Sequence, residues 1–325
     1  MRQIFVGAGI AAIMAASAAS AQTGAVPGAL GDGVHRENIN GVRLWYRAAG
    51  RGAEGTPPVV FLHGGPGQGS YHFAALAGRA MERRLRMVYL DQRGSGSSER
   101  PRSGAYSMEL LVEDVEGLRQ ALGVPRIALV GHSFGGTLAL EYAAKYPEHV
   151  AALVFAAGLW DAPGQTRLRC QHTVARFPQV AERVMGDSAA TAGGGTCDWF
   201  WNLPEPEREA MNNALMFPDS ATRIRLDSVQ AASGQRNTGE LSRALFRNGL
   251  LRYRFSAPGR LTMPVLVIAG RHDGAAVPEG LRQLARQLPD ARFVEYEKSG
   301  HFVYLDETGR FARDVAAFVA ASARR

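Results

Sequence analysis

Three residues have the types and the sequence context of a nucleophile, a general base and an acid that orients the base. Ser133 stands in the middle of a G-x-S-x-G pattern, GHSFG, between an apolar run and a helical pattern. The glycines of this pattern permit a tight strand-to-helix turn that projects the serine hydroxyl from the end of a sheet. A serine hydroxyl is a weak nucleophile until a base takes its proton. We therefore predict that Ser133 is a nucleophile and that its partners lie elsewhere in the chain.

The partners of Ser133 are expected after later strand-like runs. Asp273 follows the run PVLVIAG, and His301 follows RFVEYE. In a parallel sheet the carboxyl ends of the strands meet at one edge, so the chain order Ser, Asp, His is compatible with a triad. Asp161, after the run HVAALVFA, is the alternative acid, and His272 is predicted to be a polar residue at the rim. The sequence favours Asp273 as the acid and His301 as the base.

A glycine-rich stretch, LHGGPGQGSYHF at residues 62–73, follows another apolar run without a spacer. Such a turn allows close backbone approaches and points N–H groups into open space. It lacks the Lys and Ser/Thr ending of a P-loop and the G-x-G-x-x-G spacing of a dinucleotide site. We therefore exclude a phosphate-binding role.

The elements that position these residues can be predicted from hydrophobic patterning. Short, nearly continuous apolar runs alternate with helical patterns, as is typical of strands buried on both faces of a parallel sheet. The strands are predicted at 58–63, 86–91, 126–131, 149–156, 264–270 and 292–297, and the helices at 71–84, 108–122, 134–146, 277–288 and 307–323. A hairpin is predicted around residues 39–41. The pattern predicts an α/β fold with a mostly parallel, doubly wound sheet.

The alternation of strands and helices stops between residues 160 and 258. This segment contains several helical patterns and no clear strand. We interpret it as a helical cap inserted into one α/β core, which comprises residues 22–159 and 259–325.

The first 21 residues have the pattern of a secretory signal peptide. A short positive start precedes an apolar, alanine-rich stretch, and cleavage is expected near Ala21. The apolar stretch is too short for a good membrane span, although an anchoring or disordered tail is the alternative. We predict an exported protein, with a bacterial periplasm as its compartment and no stable membrane insertion after cleavage.

The composition and the charge distribution indicate which kinds of partner to expect. The 325 residues are 46% hydrophobic and 21% charged, and the formal net charge is +7. The basic residues are scattered among acids without interleaved aromatic residues, which argues against nucleic-acid binding. The expected partner is a small molecule or a short peptide, and the oligomeric state is not predicted.

The two cysteines, Cys170 and Cys197, lie close together within the predicted cap. In an oxidising compartment they are expected to form a disulfide, with a pair of buried thiols as the alternative. No nearby pair of histidines accompanies them, so no metal site is expected.

Two further motifs give the chain a family resemblance. HGGPG at residues 63–67 and DQRGSGSS at 91–98 resemble the motifs of the proline iminopeptidase family, within the α/β-hydrolase superfamily. The resemblance implies an α/β-hydrolase fold with a helical cap, a Ser-His-Asp triad, and no cofactor. It implies an oxyanion hole formed by the N–H groups of Gly65 and Phe134. It also implies a supporting role for five residues around that loop: His63, Gly64, Pro66, Asp91 and Arg93.

The chain departs from this family beside the serine and in the cap. His132 and Phe134 stand where the family commonly has Gly or Gln and Trp or Tyr. The cap acids that hold the amino group of a peptidase substrate have no matching motif here, so four residues are kept as a candidate pocket: Trp199, Trp201, Glu205 and Glu207. The sequence favours an aminopeptidase that removes proline or another small residue. The alternatives are a carboxylesterase or lactonase and, more remotely, a ligand-binding protein without activity.

Overall fold

The fold is a single eight-stranded sheet with helices on both faces. The computed structural model describes residues 31–185, 197–235 and 239–324, so the predicted signal peptide lies outside the described residues. The strands are β1 Gly33–Ile39, β2 Val42–Ala49, β3 Val59–Leu62, β4 Met87–Asp91, β5 Ile127–His132, β6 Val150–Ala156, β7 Val265–Gly270 and β8 Ala291–Tyr296. Their order is β1-β2-β4-β3-β5-β6-β7-β8. β1 and β2 are antiparallel to their neighbours, and the other strands are parallel, as the patterning predicts.

The antiparallel edge of the sheet begins with the predicted hairpin. Asn40 and Gly41 form a two-residue turn, and Ile39 pairs directly with Val42. Both turn residues have a positive φ, 48° for Asn40 and 75° for Gly41. These values suit the turn type whose twist matches that of the flanking strands.

The central strands are buried on both faces because alternate side chains enter two separate apolar layers. On β3, Val60 and Leu62 belong to one apolar cluster, whereas Val59 and Phe61 belong to the other. This burial explains why the runs are nearly continuous in apolar residues.

The helices of the core lie near their predicted positions. Before the cap they are α1 Tyr71–Leu76, α2 Gly78–Glu82, α3 Met108–Ala121 and α4 Phe134–Lys145, and after it α11 Pro278–Gln287, α12 Val303–Asp306 and α13 Thr308–Ser322. The predicted single helix at 71–84 is two short helices that meet at Ala77. α3 begins at a conventional cap, where the Ser107 hydroxyl accepts a hydrogen bond from the N–H of Leu110.

Between β6 and β7 the described residues form helices and one isolated bridge rather than strands. The helices are α5 Ala162–Arg176, α6 Pro178–Met185, α7 Asp198–Trp201, α8 Glu205–Met216, α9 Ser220–Ala232 and α10 Glu240–Arg247. A disulfide joins Cys170 on α5 to Cys197 at the start of α7, which confirms the pairing that the sequence favours over free thiols. No helix within the described parts of the chain has the length and apolar character needed to cross a membrane. The division of the chain into core and cap stays a prediction.

Candidate active site

The candidate site lies at the carboxyl ends of β3, β5, β7 and β8. The chain leaves β3 toward β4 on one side and then returns to β5 on the other, so β3 and β5 flank the point where the strand order reverses. In open α/β sheets ligands bind in the crevice outside this point. The glycine-rich loop follows β3 and Ser133 follows β5, so both flank this crevice.

Ser133 occupies the sharp turn between β5 and α4 that the GHSFG motif predicts. Its φ of 54° and ψ of −124° place it in a strained region that residues other than glycine rarely adopt. A Cβ on Gly135 would collide with the carbonyl oxygen of Leu62, and one on Gly131 would lie 2.5 Å from the carbonyl oxygen of Gly135. Gly135 therefore lets α4 pack directly on β3, and Gly131 lets α4 begin close to β5, so this packing holds the serine in its turn.

Asp273 and His301, the predicted acid and base, are hydrogen-bonded to each other. His301 Nδ1 lies 2.9 Å from Asp273 Oδ2, and the other carboxylate oxygen accepts N–H groups of Ala275 and Ala276, each at 2.8 Å. Asp273 is fully buried and His301 is 7% exposed. An Nδ1–H donated to the carboxylate leaves Nε2 with the lone pair that a general base needs.

His132 brings the His301 loop against the nucleophile turn. Its ring lies 4.9 Å from the ring of His301, and its Nε2 donates to the His301 carbonyl oxygen over 2.9 Å. Burial holds the pKa of His132 well below its ordinary value, so the ring stays neutral. The sequence marked His132 only as a departure from the family. The structure gives it a contact that locates the base.

The glycine-rich loop after β3 lies against Ser133. A Cβ on Gly64 would be 2.9 Å from the Cβ of Ser133. Gly65 has a φ of 115°, and a Cβ on it would be 2.9 Å from the backbone nitrogen of Gln68, so this position requires glycine. Pro66 follows through a cis peptide bond.

The N–H groups expected to form the oxyanion hole remain available. Among the described residues no acceptor takes a hydrogen bond from the N–H of Gly65 or of Phe134. Phe134 is the first residue of α4, and a first-turn N–H has no partner within its own helix. The loop conformation and the helix start therefore leave two donors free beside Ser133.

His63 braces this loop from beneath. Its Nδ1 lies 2.9 Å from the Gly64 carbonyl oxygen and its Nε2 accepts the N–H of Gln92 at 3.1 Å. Burial lowers the pKa of this imidazole, so the neutral form makes both contacts. His63 therefore connects the loop to the segment after β4, and its supporting role stays a prediction.

Asp91, the last residue of β4, and Arg93 just after it contact the glycine-rich loop and α3. Asp91 accepts hydrogen bonds from the N–H and hydroxyl of Ser70, at 2.7 and 2.8 Å, and so fixes the end of the glycine-rich loop. Arg93 forms a bidentate pair with Asp114, with both distances at 2.6 Å and both side chains 2% exposed. Arg93 therefore anchors the DQRG segment to α3.

Comparison with known proteins places this geometry in a family. Residues 57–308 match the family model described as the alpha/beta hydrolase fold. The chain belongs to the α/β-hydrolase family. A proline iminopeptidase from Pestalotiopsis fici is 26% identical over 275 residues, which cover 83% of this chain and 93% of the relative. This α/β-hydrolase thus resembles the proline iminopeptidases, and its relatives are hydrolases.

Solved structures give the same result. A proline iminopeptidase-related protein from Thermus thermophilus is 25% identical with a TM-score of 0.70, covering 91% of this chain and 99% of its own. An esterase from Thermogutta terrifontis is 22% identical with a TM-score of 0.63, over 89% and 98% of the two chains. The second likeness shows the fold alone.

In the predicted cap of this α/β-hydrolase, the end of α8 contacts the loops that carry Asp273 and His301. The carbonyl oxygen of Leu215 accepts the N–H of Gly274 at 2.7 Å, and that of Met216 accepts the N–H of His301 at 2.8 Å. Phe217 stacks on Phe302 with ring centres 5.0 Å apart. The sequence does not predict this contact, because nothing in LMF at 215–217 distinguishes a docking segment from an ordinary helix end.

The contacts that the structure shows for the four predicted pocket residues are with other residues of the predicted cap, and not with Ser133, Asp273 or His301. Glu207 pairs with Arg183, Glu205 is exposed, and Trp201 is 61% exposed. Trp199 packs beside Phe200 in a small apolar cluster. Their expected role as pocket walls stays a prediction.

The two alternatives near the triad occupy other places. Asp161 caps α5 by accepting the N–H of Gly164 at 3.2 Å, and it pairs with Arg254 at 3.4 Å. His272 is exposed, as expected for a rim residue. The carboxylate that reaches His301 is that of Asp273.

Proposed function

We propose that this protein is an exported serine hydrolase that works through an acyl-enzyme. Ser133 is the nucleophile, His301 is the general base and then the acid, and Asp273 orients His301. The observation that carries the proposal is the buried 2.9 Å contact between His301 Nδ1 and Asp273, beside a serine held in a strained turn. That contact leaves Nε2 with the lone pair that a general base needs.

The proposed reaction has two steps that use the same residues. Ser133 Oγ attacks the substrate carbonyl as its proton passes to Nε2 of His301, and the oxyanion accepts hydrogen bonds from Gly65 and Phe134. The resulting imidazolium gives this proton to the leaving amine or alcohol, which frees the acyl-enzyme. A water molecule, deprotonated by the same Nε2, then releases the acid and restores Ser133. Each oxyanion donor is expected to contribute about 10²–10³ in rate.

The first substrate candidate is a peptide with an N-terminal proline or another small residue. The resemblance to proline iminopeptidases over most of the chain, at about 25% identity, supports this choice. HGGPG at 63–67 and DQRG at 91–94 support it as well, since both lie around the loop beside Ser133.

A carboxyl ester is the second candidate, and the cap acids favour it. Recognition of a free amino group needs a carboxylate facing the site. Here Glu207 pairs with Arg183 and Glu209 pairs with Arg223 at 3.1 Å, so these acids already have basic partners.

Export is proposed from the pattern of the first 21 residues, and the Cys170–Cys197 bond supports it. Disulfides persist in oxidising compartments and are rare in the cytosol. Mass spectrometry of the protein recovered from the periplasm tests the proposal, with a new N-terminus near Gln22 as the expected result. An intact N-terminus on cytosolic protein would overturn it.

The catalytic proposal is tested with Ser133→Ala and a matched control, Ser228→Ala, which removes an exposed hydroxyl on α9. Proline 4-nitroanilide and 4-nitrophenyl butyrate are assayed side by side. Ser133→Ala should lose at least about 10⁴-fold in kcat, whereas Ser228→Ala should match the parent enzyme. Activity that survives in Ser133→Ala contradicts the mechanism. Ester turnover without anilide cleavage contradicts the peptidase assignment and leaves the esterase.

A further inference from the structure

One face of α5 lies along the loop that carries the catalytic acid. A Cβ on Gly280 would be 3.2 Å from the side chains of Gln165 and Leu168, and one on Gly274 would be 2.8 Å from the ring of His172. Gln165, Leu168 and His172 are spaced three and four residues apart, so they share one side of the helix. Arg169 lies between these contacts along the axis, so it belongs to the part of α5 that borders the Asp273 loop.

Arg169 has neutral partners. Its Nη2 donates to the side-chain oxygen of Asn212 at 2.8 Å, and its guanidinium carbon lies 5.5 Å from the ring centre of Phe200. Asn212 is one helical turn before Leu215, whose carbonyl oxygen binds Gly274. The Arg169–Asn212 pair therefore lies about one helical turn from the Asp273 loop.

No carboxylate among the described residues forms an ion pair with Arg169. Asp273 is near enough for its charge to act on the guanidinium, but its two oxygens are already bound by His301 and by two backbone N–H groups. By contrast, Arg183 and Arg223 elsewhere in the cap have carboxylate partners. Arg169 is thus a cap cation for which the described residues supply no anion.

This lack matters because the guanidinium is partly removed from water. Arg169 is half-buried, and burial lowers its pKa, an effect that the charge on Asp273 opposes. Arginine nevertheless stays protonated in proteins, and a charge withdrawn from water is costly without a countercharge. Of its five N–H donors, one is used by Asn212. The free donors match the two oxygens of a carboxylate.

We propose that Arg169 binds a carboxylate of the substrate, so the enzyme selects short, carboxylate-bearing substrates over neutral ones. The inference rests on the proposed hydrolase function and specifies its substrate class. The carboxylate can belong to the leaving group, as in a dipeptide with a free C-terminus, or to the acyl group, as in a half-ester of a dicarboxylic acid. In both cases only a short stretch of the substrate, one amino-acid residue or a few methylene groups, separates the carboxylate from the scissile carbonyl.

The test compares substrates that differ in one charge. For the leaving group the pair is Pro-Gly and Pro-Gly-amide, and for the acyl group it is 4-nitrophenyl hydrogen glutarate and 4-nitrophenyl pentanoate. Arg169→Met and Arg169→Lys are assayed beside Arg167→Met, which removes an exposed arginine from the same helix. In at least one pair Arg169→Met should lower kcat/KM for the charged substrate by roughly 10- to 100-fold more than for the neutral one. Arg169→Lys should recover part of the preference, and Arg167→Met should leave it unchanged.

A binding measurement separates this inference from the catalytic proposal. Calorimetry on Ser133→Ala, with and without Arg169→Met, uses Pro-Gly, Pro-Gly-amide, glutarate and glutaramide as probes. Tighter binding of a charged probe that disappears with Arg169→Met supports the inference, even if the parent enzyme turns over none of the substrates. Equal binding of charged and neutral probes, or a preference that survives Arg169→Met, overturns it. Full activity of Ser133→Ala overturns the catalytic proposal alone.

Discussion

The nucleophile turn and the cap hold the candidate site by different means. At the turn, backbone meets backbone: α4 lies so close to β3 that a single Cβ on Gly135 would collide with Leu62 and His63. In the predicted cap, helices are joined by side-chain pairs and by a disulfide, and a stacked pair of rings joins the end of α8 to the residue after His301. Backbone-to-backbone packing at the turn tolerates no added atom. The side-chain contacts of the cap helices can be replaced by other residues while the helices remain in place.

The two regions therefore position different parts of the candidate site. The turn and the glycine-rich loop fix Ser133 and the backbone around Gly65 and Phe134. The cap helix α8 reaches the site through the carbonyl oxygens of Leu215 and Met216, which bind the loops of the acid and the base. A cap that only covered the site would not need these bonds. We infer that α8 positions the loops that carry Asp273 and His301.

The largest effect is expected from Gly135→Ala, which adds one carbon to the turn. Either α4 or β3 must shift, so we expect a loss of about 3 kcal/mol or more in the free energy of unfolding, and no measurable activity. The matched control is Gly259→Ala, just after the predicted cap, where an added Cβ would have no heavy atom within 4 Å. Denaturant unfolding and ester hydrolysis measure both. Wild-type activity in Gly135→Ala would show that the turn is not rigid.

The difference between the turn and the cap also explains which features of the structure can be predicted from the sequence. The strands, the hairpin and the turn follow from local rules: alternate burial, an Asn-Gly turn and glycines where backbones touch. Asp273 and His301 could be placed because parallel strands end at one edge. The contacts of Met216 and of Arg169 were not predicted, since they depend on how helices distant in the chain pack together. Local patterns do not encode that packing.

The next effect tests whether α8 positions the base. Phe217→Ala removes the ring that stacks on Phe302, next to His301 in the chain. We expect kcat/KM to fall about 10- to 100-fold, mainly through kcat, because a displaced imidazole transfers protons poorly. Phe246→Ala, which truncates a cap phenylalanine that is 45% exposed, is the control. A loss of stability with unchanged kcat would show that α8 does not position His301.

A smaller effect on activity is expected from the disulfide. Cys170 and Cys197 are 27 residues apart, and closing such a loop stabilises by about 3–4 kcal/mol in the chain-entropy model. The double substitution to serine should lower the melting temperature while most of the activity at 25 °C remains, because the core turn does not depend on the bond. Calorimetric scans and initial rates measure this. An activity loss as large as that of Phe217→Ala would show that the bond also positions the triad.

The smallest effect at neutral pH concerns His72, a buried imidazole of the core that takes no part in the proposed reaction. It is 1% exposed, and among the described residues neither ring nitrogen has a hydrogen-bond partner. Burial, with a further contribution from His63, lowers its pKa to about 3. Below pH 6.5 the unfolded chain therefore takes up a proton that the folded chain refuses. Stability contributed by His72 is complete above pH 6.5 and falls by about 1.4 kcal/mol for each pH unit below it.

His72→Leu removes this titration at nearly constant volume. We expect unchanged activity at pH 7. Between pH 6.5 and 4 the free energy of unfolding should fall less steeply than in the parent, and the difference in slope should be about 1.4 kcal/mol per pH unit, which corresponds to one proton. Urea unfolding at several pH values measures the slopes of both proteins. His63 and His132, whose pKa values are also lowered by burial, remain in the variant, so some acid sensitivity must persist. Equal slopes would show that His72 binds its proton in the folded state, and the core beneath the glycine-rich loop would then have to accommodate a charge.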